Sequence, residues 1–312
     1  MKHRRIVVLG GSGFVGRHLV SVLAAQGREV VVATRARDRA KTAFMLPRVE
    51  ICEADVRDAR EIGAIARGAD AVVNLVGILH PRRGASFTDI HVGVTEAAIR
   101  ACRSGGIRRL LHMSALNAST EGPSAYLRSK GEAEARVAAS ELSWTIFQPS
   151  VIFGAEDRFV NTFASMSRIL PVLPLASPDA RFQPVHVGDV VRAFALALDD
   201  DSTLGQRYPL CGPRVYTLRE IVRYAGACIG HSPVIVPLPA PLAKMQAWAF
   251  EHLPGKLLTR DNLASMRVDS VCNCPYPAVF GGRARAMESV VPEYLSPAAQ
   301  ADPFSDYRRR HR

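Results

Sequence analysis

Short runs of apolar residues recur along the first half of the chain, each long enough for a buried strand. They lie at 6–9, 29–34, 49–53, 69–77, 110–114 and 147–152. Between the first two runs, apolar positions at helical spacing predict a helix over 14–26. Strands that alternate with helices form parallel sheets covered on both faces. The pattern therefore predicts an α/β fold with a doubly wound parallel sheet.

The first strand runs directly into a glycine-rich turn and a helix, with glycines at 10, 13 and 16 in the sequence Leu9-Gly-Gly-Ser-Gly-Phe-Val-Gly16. Gly10 permits the tight exit from the strand, Gly13 lets a pyrophosphate approach the backbone, and Gly16 lets the helix pack closely on the sheet. The amides at the start of that helix then face the phosphates. A glycine triplet alone is a weak signal, but its position after an N-terminal strand predicts the dinucleotide-binding turn of a Rossmann fold.

The residues after the second strand indicate which nucleotide binds. An NAD-selective site has an acid there that bonds the ribose 2′-hydroxyl, whereas this chain reads Thr34-Arg35-Ala36-Arg37. Two guanidinium groups suit a 2′-phosphate, so NADP(H) is favoured over NAD(H), with Arg35 a stronger candidate than Arg37. The alternative is that both are ordinary surface arginines, since the chain holds 35 Arg and only 5 Lys.

Candidate catalytic chemistry begins at Ser114, which ends the fifth strand. Tyr126 and Lys130 follow on a helix predicted over 124–139, where the spacing i, i+4 puts them on one face. An ammonium beside a phenol stabilises the phenolate and also bonds the ribose, while Ser114 would orient or polarise a substrate carbonyl. With 7 Tyr and 5 Lys in 312 residues, chance gives such a pair only about 0.1 times. An exposed pair on a surface helix is therefore the weaker interpretation.

Further cofactor contacts are predicted along the carboxyl edge of the sheet, where doubly wound folds bind their ligands. Asp55 either accepts from the adenine amino group or caps the helix that begins near Arg57. His186 is either a pocket residue or, more commonly for such a histidine, a structural one. The predicted cofactor contacts are Gly10, Ser12, Gly13, Phe14, Val15, Gly16, Arg35, Arg37, Asp55, Val56, Leu75, Val76, Gly77, Tyr126, Lys130, Pro149, Val151 and Ile152.

Several stretches carry a resemblance to a known family. They are 114–119, Tyr126-Leu-Arg-Ser-Lys130, 148–154, 156–164, 184–191 and Thr259-Arg-Asp-Asn-Leu263. With the G-x-x-G-x-x-G spacing, they resemble the atypical short-chain dehydrogenase/reductases (SDRs) of the complex I nucleotide-binding accessory subunit family, alpha subcomplex subunit nine. The match covers nearly the whole chain. Because no long N-terminal targeting extension precedes the fold, the chain resembles a free-standing bacterial member.

The resemblance implies an extended SDR fold with a small C-terminal substrate lobe, and an NADPH at the glycine turn with Arg35 near its 2′-phosphate. It also implies a link to quinone metabolism or to the respiratory membrane. In the complex I subunit the nucleotide is structural. The presence of Tyr126 and Lys130 therefore does not by itself establish turnover.

The chain has 312 residues, of which 48% are apolar, and can bury a substantial core. We expect an NADP(H)-binding core at 1–153, a substrate lobe at 154–295 that also completes the core, and a basic tail at 296–312. The net charge is +11, but seven of the cations lie at the two ends of the chain, where tails are usually solvated. No aromatic-rich RNA platform is evident, so a nucleic-acid partner is not favoured.

The chain has no signal-peptide core and no run of 18 uncharged apolar residues, which predicts a cytoplasmic protein, with peripheral contact at the cytoplasmic membrane as an alternative. The six cysteines form no C-x-x-C pair and predict reduced, structural thiols. The apolar segment 234–252, with a helix from about 242, would pack on the core, line a tunnel for a prenylated ring or lie on a membrane. The stretch 269–294 is predicted to be extended.

The leading hypothesis is an NADPH-binding oxidoreductase in quinone-linked metabolism, acting on a small, quinone-like carbonyl or alcohol. Tyr126 would exchange the proton, Lys130 would hold the ribose and lower the pKa of Tyr126, and Ser114 would bind the substrate oxygen. One alternative is a non-catalytic subunit or assembly factor of a respiratory or ubiquinone-biosynthesis complex, stabilised by NADPH. Another is an NAD-dependent sugar-nucleotide epimerase or dehydratase, against which Arg35 argues. No metal site is predicted.

Overall fold

A computed structural model describes residues 2–35, 46–81, 84–252 and 258–296. Its strands are β1 Arg5–Leu9, β2 Glu29–Thr34, β3 Val49–Glu53, β4 Ala71–Asn74, β5 Arg109–Met113, β6 Ser143–Pro149, β7 Ile152–Phe153, β8 Val172–Leu175, β9 Arg181–Phe182, β10 Val185–His186, β11 Gln206–Leu210, β12 Tyr216–Thr217 and β13 Val234–Pro237. Its helices are α1 Phe14–Ala25, α2 Ala59–Ile65, α3 Val94–Gly105, α4 Ala125–Ala138, α5 Val160–Ile169, α6 Val187–Ala197, α7 Leu218–Cys228, α8 Ala240–His252, α9 Arg260–Ser265 and α10 Met287–Leu295. A π-helical turn over Thr88–Gly93 leads into α3.

Seven of the strands form one parallel sheet in the order β3-β2-β1-β4-β5-β6-β11. The order changes direction at β1, because β2 and β3 lie on one side of it and β4 to β6 on the other. Sheets of this kind bind ligands in the crevice beyond the carboxyl ends of their strands, at such a switch point. The predicted doubly wound α/β fold is confirmed, and its glycine turn lies at the switch point.

Successive residues of β1 enter the cores on opposite faces of the sheet. Ile6 and Val8 pack with residues of α1 and α6, whereas Val7 and Leu9 pack with residues of α2, α3 and α4. All four side chains are fully buried. A strand buried on both faces gives a continuous apolar run in the sequence. Such a run predicted β2 with the bounds that the structure has, and the strand predicted at 49–53, of which only Ile51 is buried, is β3.

A separate apolar cluster lies in the C-terminal part of the chain and joins α5, α7 and α10. Phe153, Ile221 and Val291 are fully buried in it. The two-stranded pairs β7-β10, β8-β13 and β9-β12 accompany these helices. We call this part the C-terminal lobe. The chain leaves the sheet after β6, builds the first part of the lobe, and returns to the sheet for β11 before completing it.

Two expectations from the sequence are wrong. The stretch 269–294, predicted to be extended, ends in helix α10, where Pro292 within the helix hides the helical pattern. Cys211 and Cys272 form a disulfide, so the expectation of reduced thiols fails for this pair. The two cysteines are 61 residues apart, and no local spacing marks them as partners.

Within the described residues, no helix combines the length and apolarity needed to cross a lipid bilayer. The predicted tail at 296–312 lies almost wholly outside these residues, and so does Arg37.

Candidate active site

The glycine turn after β1 is closely packed on its inner side and open on its outer side. Gly10 has φ +82°, and its carbonyl accepts the Gly13 N–H at 3.0 Å. A Cβ on Gly16 would overlap the Gly10 carbonyl and lie 2.6 Å from Gly11 Cα, so only glycine lets α1 approach this closely. Gly13 is exposed, and a Cβ there would meet only the Gly10 carbonyl oxygen, at 3.2 Å. The missing side chain therefore leaves open the face that a phosphate would approach.

The chain beyond β4 forms a second wall of the crevice. A Cβ on Gly10 would lie 3.2 Å from the Leu75 carbonyl carbon and the Val76 nitrogen, which places this wall directly beside the glycine turn. Asn74 holds the bend, because its Oδ1 accepts the Val76 N–H at 3.1 Å. Gly77, the next residue, faces the Lys130 ammonium, since a Cβ on Gly77 would lie 3.2 Å from Nζ. The predicted cofactor contacts that follow β1 and β4 therefore lie close to one another and to Lys130.

Helix α4 places Tyr126 and Lys130 over the carboxyl end of β5. Its N-cap is Ser124, whose Oγ accepts the Leu127 N–H at 3.1 Å, as a helix starting at this serine requires. Lys130 is buried, and its Nζ donates to the Met113 carbonyl at 3.0 Å. Ser114, the next residue, is also buried, and its Oγ has no hydrogen-bond partner among the described residues. The structure therefore brings the lysine beside the serine, as the spacing predicts.

Burial controls the protonation of the two titratable groups. Burial lowers the pKa of Lys130 to about 8, against the attraction of Glu134, which raises it. Burial raises the pKa of Tyr126 to about 12, which is opposite in direction to the depression expected from Lys130. Desolvation causes this raised pKa, while the Lys130 Nζ donates to the Met113 carbonyl. Tyr126 therefore carries its proton at neutral pH and is suited to donate it.

His91 is a member of the site that the sequence analysis missed. It lies in the π-helical turn, and its ring centroid is 5.5 Å from those of both Tyr126 and Phe87. Its Nε2 accepts the Ile78 N–H at 3.1 Å, so the neutral ring donates from Nδ1 to Ser129 Oγ at 2.8 Å. Burial lowers the pKa of His91 to about 2, which keeps it neutral. A π-helical turn often marks a functional site, but nothing in the apolar pattern announces it.

Arg35 and Asp55 lie beyond the carboxyl ends of β2 and β3. Arg35 follows β2 directly and is exposed, and its charge contributes to lowering the pKa of Asp55. The main cause of that lowered pKa is the hydrogen bond from the Arg57 guanidinium, with Nη2 at 2.6 Å from Oδ2. Asp55 Oδ1 also accepts the Arg57 N–H at 3.0 Å, as the capping alternative expects, but α2 begins two residues later and its N-cap is Asp58, which accepts the Arg60 N–H. The contact of Asp55 with adenine stays a prediction.

The remaining predicted contacts follow β6. The Pro149 carbonyl accepts the Leu116 N–H and the Val151 carbonyl accepts the Val185 N–H, each at 2.9 Å, while Ile152 pairs with Val185 in β7-β10. These bonds tie the loop after β5 to the strand that leads into the C-terminal lobe. The contact of Pro149, Val151 and Ile152 with the cofactor stays a prediction.

His186 begins α6 and does not act as a free pocket residue. Its Nδ1 accepts the Gly188 N–H at 3.2 Å, and burial lowers its pKa to about 4. This arrangement supports the structural interpretation.

Residues 10–161 match a family model described as NAD(P)H-binding. The chain is 30% identical over 268 residues to the mitochondrial NADH dehydrogenase (ubiquinone) 1 alpha subcomplex subunit 9 of Dictyostelium discoideum, covering 84% of this chain and 74% of that protein. The chain belongs to this NAD(P)H-binding, SDR-like family. The predicted family is confirmed, whereas the preference for NADP over NAD stays a prediction.

Other members of the family carry two kinds of name. The subunit 9 of Arabidopsis thaliana is 37% identical over 257 residues, which are 80% of this chain but only 64% of the relative, so the chain spans less than two thirds of that protein. A protein of Caulobacter vibrioides named ceramide reductase is 31% identical over 238 residues, covering 76% of this chain and 74% of the relative.

The fold is shared with solved structures. A dTDP-glucose 4,6-dehydratase from Streptomyces venezuelae with NAD bound is 25% identical, with a TM-score of 0.66, covering 75% of this chain and 85% of that one.

Proposed function

We propose that this protein is an NADPH-dependent reductase of a carbonyl group on an apolar, quinone-like or lipid substrate. The observation that carries the proposal is a group of side chains at one edge of the sheet. The buried Lys130 ammonium lies beside Ser114, whose hydroxyl has no partner among the described residues. The protonated Tyr126 phenol packs against His91, whose Nε2 faces Gly77 as the ammonium does. A buried polar atom without a partner costs stability unless it acts on something else. This supports a role for the Ser114 hydroxyl in binding a substrate oxygen.

The residues present fit a dinucleotide, and the geometry of the glycine turn supports this fit. Gly13 leaves its outer face open to phosphate oxygens, and the amides at the start of α1 supply donors there. We assign Gly77 and Lys130 to contact with the ribose. We assign residues 1–153 to nucleotide binding and 154–295 to the substrate lobe. The bound reduced nucleotide supplies a hydride.

The side chains of the site supply positioning and a proton. The Ser114 Oγ–H bonds the substrate carbonyl oxygen and orients it. As the carbonyl carbon takes up hydride, the Tyr126 Oη–H gives its proton to that oxygen, and an alcohol forms. The resulting phenolate is stabilised by the nearby Lys130 ammonium until a proton from solvent restores the phenol. His91, neutral and packed against Tyr126, keeps the phenol in place.

The relatives and the lobe support an apolar substrate. One relative is named a ceramide reductase and others are named subunits of a ubiquinone-linked dehydrogenase. In α8 the side chains of Leu242, Met245 and Trp248 are 46%, 60% and 54% exposed, whereas Ala243 and Ala247 are buried. An outward apolar face with a tryptophan is typical of helices that lie at a membrane surface. We propose peripheral contact with the membrane or a respiratory complex through this face.

Arg35→Ala should lower the affinity for NADPH about 10- to 100-fold and leave the affinity for NADH nearly unchanged, because a charge-assisted bond to the 2′-phosphate is lost. Fluorescence titration with both nucleotides measures the difference. The control is Arg223→Ala, which removes an exposed arginine from α7 in the lobe. Equal losses for NADH and NADPH would contradict the assignment of Arg35.

The first experiment on the whole protein identifies the nucleotide that it carries. The purified protein is denatured and the released nucleotide is weighed by mass spectrometry. The NADPH-loaded protein is then titrated with a short-chain quinone and with a long-chain ketone while the nicotinamide absorbance is followed. Oxidation of NADPH that depends on either substrate supports the reductase. Bound NADPH that stays reduced with both argues against it.

A second candidate is a non-catalytic subunit that NADPH stabilises. The names of the subunit 9 relatives favour it. It predicts a large increase in the melting temperature with NADPH, by binding to the folded state, and no oxidation of NADPH with quinones or cell extract. Tight binding of NAD(H) in place of NADPH would instead favour an epimerase or dehydratase.

A further inference from the structure

The first turn of α4 depends on a residue from the distant C-terminal lobe. The start of a helix leaves four backbone N–H groups without helical partners. Ser124 serves one of these N–H groups, since its Oγ accepts the Leu127 N–H, and its carbonyl accepts the Arg128 N–H as the first helical hydrogen bond. The N–H groups of Ala125 and Tyr126 donate to the two oxygens of Asp261, at 2.7 and 3.2 Å. One carboxylate therefore completes the start of the helix.

Asp261 is itself held firmly. It lies in α9, where Thr259 and Asn262 form a reciprocal capping box. The Thr259 N–H donates to Asn262 Oδ1 at 3.0 Å, and the Asn262 N–H donates to Thr259 Oγ1 at 3.2 Å. The Ser265 Oγ of the same helix donates to the Ser124 Oγ at 2.8 Å, which gives a second link to α4. These bonds fix α9 against the helix that carries the phenol.

The α9 helix is also bound to α8. Arg260 pairs with Glu251, with 3.0 Å between Nη2 and Oε2, and the Arg260 N–H donates to the same carboxylate at 2.7 Å. Arg260 and Asp261 are adjacent in the chain, and they bind α8 and α4 respectively. Together they link Tyr126 to the apolar helix α8.

The two functional side chains of α4 differ in how they are anchored. Lys130 has its own anchor, because its Nζ donates to the Met113 carbonyl and the side chain is buried. Tyr126 lies in the turn that Asp261 completes, and its own N–H is one of the two groups bonded. A change at Asp261 should therefore displace Tyr126 and leave Lys130 nearly in place.

We propose that Asp261, which lies in the C-terminal lobe, is a positioning residue. It fixes the Tyr126 phenol in place for proton transfer. The proposal rests on the proposed reductase function. It predicts that loss of the carboxylate lowers kcat and hardly changes the KM for NADPH, because Lys130 and the glycine turn hold the nucleotide. A residue that served stability alone would lower the melting temperature and leave kcat unchanged below it.

The test compares Asp261→Ala, Asp261→Asn and Ser265→Ala in the full chain. With NADPH and a substrate that the wild type reduces, Asp261→Ala should lower kcat about 10- to 100-fold, since small misplacements of a reacting group cost that much. Asp261→Asn keeps one acceptor oxygen and should recover part of the loss. Ser265→Ala removes the other bond between α9 and α4, keeps the carboxylate, and should resemble the wild type.

Hydrogen exchange of the Ala125 and Tyr126 amides supplies a readout that needs no turnover. Exchange there should be faster in Asp261→Ala than in the wild type and unchanged in Ser265→Ala. The proposal is overturned if Asp261→Ala keeps kcat within about twofold of the wild type, or if exchange at these amides is unaltered. If the wild type reduces no carbonyl, the proposed function and the positioning role of Asp261 in proton transfer both fail, while faster exchange still establishes the cap.

Discussion

Tyr126→Phe should abolish carbonyl reduction and leave NADPH bound. The variant removes the only phenol that packs against His91 in the described part of the site, together with its proton, while the ring keeps its contacts with Phe87 and His91. Loss of a general acid in this position costs about 10²- to 10⁴-fold in turnover. The measurement is the rate of NADPH oxidation with the quinone or ketone that the wild type reduces, beside the NADPH dissociation constant.

The matched control for this variant is Tyr276→Phe. The Tyr276 phenol is also buried, but it donates to the Asp189 carbonyl at 2.8 Å on the α6 side of the sheet. Its loss should affect stability and spare turnover. A Tyr126→Phe protein as active as the wild type would remove Tyr126 from the mechanism, and a loss of NADPH binding would show that the substitution acts on the fold of the site.

Lys130→Met should weaken NADPH binding and lower kcat together. The substitution keeps the length and apolar stem of the side chain but removes the ammonium, which would bond the ribose and stabilise the Tyr126 phenolate. We expect losses of about 10- to 100-fold in affinity, as for other hydrogen bonds to charged groups, and of at least the same size in kcat. Titration calorimetry and steady-state kinetics separate the two effects.

The pH dependence of binding gives this variant an internal check. Burial lowers the pKa of Lys130 to about 8, so the wild type loses the ammonium as the pH rises through that value. The affinity for NADPH should therefore fall above pH 8 in the wild type and stay level in Lys130→Met. The same lowered pKa means that the buried charge destabilises the folded state below pH 8, so the variant should unfold no more easily than the wild type at pH 7. A parallel fall of affinity with pH in both proteins would point to another group.

The parts of this fold that the sequence predicts are those that local pattern determines. Continuous apolar runs marked β1 and β2 because both faces of these two strands are buried. The glycines at 10 and 16 could be assigned because only a close approach of turn and helix explains their spacing. Ser124 indicated where α4 begins, and the i, i+4 spacing of Tyr126 and Lys130 indicated its functional face. The family match followed from the same residues.

The features that escaped prediction depend on contacts between distant parts of the chain. The Cys211–Cys272 disulfide and the contact of Asp261 with Tyr126 join segments 61 and 135 residues apart, and neither leaves a local signature. His91 resembles any core histidine until its neighbours Ile78 and Ser129 are known. The pKa of Tyr126 was predicted in the wrong direction, since a sequence indicates the neighbouring lysine but not the depth of burial.

The late arrival of β11 in the central sheet ties the two parts of the molecule into one folding unit. β11 pairs along its length with β6, and the Thr145 hydroxyl of β6 donates to the Thr203 carbonyl just before β11. A chain cut at residue 153 would leave β6 as a sheet margin with free backbone groups, which is the kind of surface that recruits other chains and aggregates. Lobes cannot therefore be exchanged between relatives at that point without carrying the seventh strand along. Recombination that respects the topology would need two crossover points, one on each side of 206–210.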